Sequence, residues 1–206
     1  GIKMINTSDT PDNEEARIYI GSFYAARILA AMGKENYKKV CVLCEEAGRD
    51  SRNTRLFQTF LNEMLTKAYF YRGLNTKQTT NSEDYYALSE MSAQRYLDDL
   101  DYFMSHNEEL YSQQIAPFVG ECLDVVKQKE IYSIRICNGL KLNQVRNLDQ
   151  YVEMLRWDEP HVYVFEEIAD ILIEAMNRFA EKYKGKKFLE NTEYAAYTKT
   201  LRIMHQ

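Results

Sequence analysis

A chain of 206 residues, 45% hydrophobic and 28% charged, can bury a core, which excludes an intrinsically disordered, collagen-like or low-complexity polypeptide. Its 26 Lys and Arg against 31 Asp and Glu leave a net charge of -5, so bulk electrostatic attraction to nucleic acid or anionic lipid is no basis for its function. No apolar run reaches the roughly 18 residues of a membrane span, and 8 Gly with 3 Pro leave few places to turn, which implies long helices.

Residues 1–12, ending on Pro11 and Asp12, read as a flexible leader, and 13–206 as a single helical domain. The start on Gly1 rather than Met is consistent with a trimmed chain, a removed signal peptide included. From Glu14 to Met32, Ile18, Phe23, Tyr24, Ile28, Leu29 and Met32 recur at helical spacing, and Gly33 stands where a helix ends. A shorter helix, Glu35 to Ala47, carries Val40, Val42, Leu43 and Cys44 and stops at Gly48.

The third segment has the plainest helical period. Ser51 suits an N-cap, Leu56, Phe57, Phe60, Leu61, Met64, Leu65 and Ala68 form one stripe, and Gly73 lies past its end. Asn75 to Ser82 reads as a polar loop, with Ser82 capping a helix from about Tyr85 to Met104. Another helical stretch starts at Asn107, is kinked or restarted near Pro117, and continues through Val126.

The period then changes. In 131–145, Tyr132, Ile134 and Ile136 alternate with Ser133 and Arg135, and Leu140 and Leu142 alternate with Lys141 and Asn143. Asn138-Gly139 between the two runs is the dipeptide that a type I′ turn favours, so a short β-hairpin is expected near residues 131–145. Helices resume at Asn147, at about His161 to Tyr183 and at about Glu193 to Met204. The fold class expected is therefore mainly α, a multi-helix bundle with one β-hairpin insertion.

Few residues can carry chemistry. Cys41, Cys44, Cys122 and Cys137 are too few for a disulfide scaffold, which points to reduced thiols and a cytoplasmic setting. The Cys41-x-x-Cys44 pair falls on a helical stripe with no second pair at zinc spacing, so both read as core residues. The acidic runs at Glu45-Glu46, Asp98-Asp99, Glu108-Glu109 and Glu166-Glu167 read as solvated faces. No metal ligand set, cofactor loop or nucleophile motif occurs.

His161 is set apart from His106 and His205 by its surroundings, Arg156-Trp157-Asp158-Glu159-Pro160-His161-Val162-Tyr163. This Arg-x4-His-x-Tyr pattern resembles the signature of HEPN-domain ribonucleases. That resemblance implies an all-helical, homodimeric, metal-independent RNA-cleaving toxin, with His161 moving protons, Arg156 holding phosphate and Tyr163 in support. The segment departs from the pattern at Trp157, where a small polar residue is usual, and at Pro160, which puts His161 in a helix's first turn. The same residues also read as a tight helix–helix turn packed over Trp157.

Sixteen tyrosines against one tryptophan is the compositional oddity. Tyr69, Tyr71, Tyr85, Tyr86, Tyr96, Tyr102 and Tyr111 crowd an acidic middle region, which suits a core rim or a protein interface better than stacking on nucleic acid. The function expected is that of a non-catalytic helical interaction or regulatory module that binds another protein through a Tyr-rich or acidic helical face. A homodimer is compatible with it, no cofactor is implied, and the ribonuclease is the alternative.

Overall fold

The computed structural model describes residues 14–50, 53–77, 79–112, 117–142 and 144, together with Gln150, Asp170, Glu174, Asn177 and Glu181. The elements in chain order are α1 (Glu14–Gly33), α2 (Tyr37–Gly48), α3 (Arg55–Asn75), α4 (Thr79–Ser105), α5 (Asn107–Ser112), α6 (Pro117–Gly120), a 3-10 turn (Glu121–Leu123) and α7 (Val125–Lys141). The protein is mainly helical, and no helix of the described residues is long and apolar enough to cross a membrane.

The central rod is α3. It packs along α1, α2, α4 and α7, so its stripe broadens until Leu56, Phe57, Phe60, Leu61, Met64, Ala68 and Phe70 are all buried. Its true cap is Thr54, whose hydroxyl accepts from the Phe57 amide at 3.1 Å; Ser51 lies outside the described residues. Asn36 caps α2 in the same way through the Lys39 amide. The loop expected up to Ser82 is shorter, because α4 already begins at Thr79. Gly73 is not a terminator. It sits inside α3, where a β-carbon would stand 2.6 Å from the Tyr86 ring, so its missing side chain is what lets α4 approach.

The β-hairpin expected near residues 131–145 is not formed: no strand occurs among the described residues, and Val125–Lys141 is one helix. From Ser133 to Leu140 every residue of α7 is buried. A helix enclosed on all sides carries apolar residues on every face, so period-2 alternation arises without a strand. Two of the polar residues that looked like the hairpin's wet face and turn, Arg135 and Asn138, are tied to α4 instead, while Ser133 Oγ donates to the Lys129 carbonyl of its own helix. Arg135 Nε donates to Glu90 at 2.7 Å and Arg135 Nη2 to Gln94 at 2.9 Å. Asn138 Nδ2 donates to Ser89 Oγ at 2.9 Å, and Ser89 Oγ donates onward to the Thr66 carbonyl at 2.8 Å. These bonds offset the desolvation that would otherwise disfavour burying such groups.

Candidate interaction surface

The first helix has two apolar faces. Ala25, Ile28 and Ala31 turn inward and are buried, with Tyr24 and Met32 packed beside them on the core that α2 and α3 share. On the opposite side Tyr19 is 75% exposed and Phe23 53% exposed, while Ala26, Ala30 and Gly33 continue the same line and are also exposed. The spacing along Tyr19, Phe23, Ala26, Ala30 and Gly33 is four, three, four, three, the spacing that coiled-coil seams use. Ile20 and Leu29 flank it, partly exposed, and the Arg27 guanidinium lies 5.4 Å above the Phe23 ring. Single exposed apolar residues are ordinary; these lie side by side along one helix.

This seam was readable but merged with its neighbour. Phe23 and Leu29 belong to the apolar recurrence of the sequence, yet they leave the core side to Ala25, Ile28 and Ala31. The alanines carry the missing signal, since they extend both stripes at once.

The described tyrosines of the acidic middle region are engaged within the chain. Tyr86 and Tyr96 are buried, and the Tyr96 hydroxyl donates to the Cys122 carbonyl. Tyr69 stacks on Tyr85 at 6.4 Å, with the Arg72 guanidinium 4.2 Å over the Tyr85 ring, and Tyr71 stacks on Tyr37 at 5.0 Å. Tyr102 lies between the Arg55 guanidinium, 3.6 Å from its centroid, and the His106 ring at 4.3 Å. Two groups that near one centroid must occupy opposite faces. The Tyr111 side chain, and all of Arg156, His161 and Tyr163, lie outside the described residues.

Charge is paired rather than poised. Arg55 is held by Asp99 at 2.7 Å, the Tyr102 hydroxyl donates to Glu109, and His106 Nδ1 lies 3.0 Å from the Tyr102 carbonyl. Lys67, on α3, is clasped between Glu63 at 2.8 Å and Glu130 of α7. Burial pushes the Glu63 carboxyl up, against the opposing pull of Lys67. Burial works against the Lys67 ammonium, but the two carboxylates outweigh it and Lys67 stays firmly protonated, so it is no nucleophile. The Cys41, Cys44 and Cys122 thiols are buried, and burial pushes each up, away from the reactive thiolate. Among the described residues no three His, Cys, Asp or Glu side chains are placed to hold a metal ion. No family of known proteins, no curated protein and no solved structure matches this chain.

Proposed function

We propose that the chain is a non-catalytic helical interaction module, that the outer seam of α1 is its docking element, and that its partner there is a second copy of the same chain. The observation that carries this is the gradient along the seam. Two aromatic residues, Tyr19 and Phe23, are followed at the same spacing by Ala26, Ala30 and Gly33.

Antiparallel pairing about a two-fold axis between Tyr24 and Ala25 sets Tyr19 against Ala30 and Phe23 against Ala26. Each of these layers then holds one large and one small side chain, and the outermost sets Gly33 against Ala16. Parallel pairing would put ring on ring at one end and alanine on alanine at the other. A helix of this length spans about 30 Å. One such pair lies at the small end of specific interfaces, so a dimer that exchanges at micromolar concentration is expected.

Sedimentation equilibrium between about 1 and about 500 μM tests it. The native chain should pass from monomer to dimer, and Phe23→Asp should hold it as monomer. Met91→Asp, at an exposed position on α4, should dimerise like the native chain. A native chain that is monomeric throughout, or a Phe23→Asp variant that dimerises as well as native, overturns the reading.

A further inference from the structure

A second site lies beside the C-terminal end of α1. The turn between α1 and α2, the second half of α3 and the middle of α7 border a half-open cleft of about 420 Å³, within the range of small-ligand pockets. We propose that this cleft binds a small alkylammonium ion.

The charge of the lining decides against an anion. Glu35 and Glu130 supply two carboxylates and Lys67 a single ammonium, and that ammonium already lies between Glu130 and Glu63. Lys127 also lies 3.9 Å from Glu130, so the carboxylate left in excess for an incoming cation is Glu35, and an incoming carboxylate would meet its like charge. The wall is aromatic. Tyr37 and Tyr71, both half-buried, line it and stack nearly parallel, 15° apart, each spending one face on the other, while Phe70 is buried behind Tyr71 and meets it edge-on at 5.3 Å. Tyrosine faces carry the negative part of the ring quadrupole, the surface that organic ammonium ions favour. The lip is built at a cost. Glu35 holds φ at 54°, a left-handed conformation that glycine adopts freely, and the side chain kept there is a carboxylate on the cleft.

The test is a titration of the full chain followed by NMR of its tyrosine rings. The probes are n-butylammonium, tetramethylammonium, butyrate as the anionic counterpart, and a capped lysine amide. Both cations should shift Tyr37 and Tyr71 resonances saturably, and butyrate should not. Tyr71→Leu should weaken the cations about tenfold. Glu35→Gln, in an exposed turn where folding is not at stake, should weaken them about threefold or more. A capped lysine that binds as well as butylammonium assigns the head group to a peptide side chain, and a weaker one assigns it to a free amine; either supports the site. Butyrate binding as tightly as butylammonium, no saturable shift with either cation, or an unchanged affinity in Glu35→Gln overturns it.

Discussion

Replacing Gly73 by alanine sets two effects against each other. Inside a helix, Ala is favoured over Gly by about 1 kcal/mol, less near the last turn where Gly73 lies. Its methyl group, however, would stand 2.6, 2.9 and 2.9 Å from three carbons of the Tyr86 ring. Tyr86 is 3% exposed and packs against Phe70 with ring centroids 6.2 Å apart, so the ring has nowhere open to retreat. Overpacking of this kind costs about 1–3 kcal/mol. The clash wins, and the variant should lose about 1–2 kcal/mol, lowering Tm by about 2–8 °C in a chain of this size. Thermal and urea unfolding followed by circular dichroism at the helix band measures it. Tyr86→Leu, destabilising alone through the cavity it leaves, should cost less in the Gly73→Ala background, with a coupling of about 1 kcal/mol or more. A Gly73→Ala chain as stable as native, or two additive substitutions, would refute the close approach of α3 and α4 at this point.

Other outcomes follow from single contacts. Thr54→Ala removes the α3 cap and should cost about 1 kcal/mol in urea unfolding, with Thr54→Ser close to native. Tyr96→Phe strands the buried Cys122 carbonyl and should cost about 1–2 kcal/mol, with the far-ultraviolet spectrum of the folded chain unchanged. Glu63 has a folded-state pKa raised above its ordinary 4.5 by burial, so the native state holds its proton more tightly than the unfolded chain does. Its contribution is complete below 4.5 and is lost as pH rises through the folded value. Native stability relative to Glu63→Gln should therefore fall between acid and neutral pH; a difference that grows with pH contradicts the burial argument.

How much was legible in the chain depended on whether a helix had one wet face. The stripe from Leu56 to Ala68 announces α3 because the residues buried on its second side, Thr59, Glu63 and Thr66, are polar and leave the apolar spacing plain. The region of α7 misleads for the opposite reason. It is enclosed, its polar residues are inward ties, and the groups that satisfy Arg135 and Asn138 are Glu90, Gln94 and Ser89, more than forty positions earlier. Local pattern reading cannot supply partners that distant, and Asn138-Gly139 carries a strong turn preference that tertiary contacts override. The α1 seam was hidden by doubling, since inner and outer stripes interleave and only the exposures separate them. In the cleft, Glu63 and Lys67 are visible as an i, i+4 pair, but Glu130 joins them only once 125–141 is a helix.

The antiparallel pairing is tested most directly by disulfide exchange between two singly substituted chains, Tyr19→Cys and Ala30→Cys, one bearing a mass tag, mixed and mildly oxidised. The four native thiols are buried and should stay silent. In the proposed register position 19 of one copy faces position 30 of the other, so the mixed species should form well ahead of either like pair. Equal or faster joining of position 19 to position 19, or no mixed species above a fully denatured control, would contradict it.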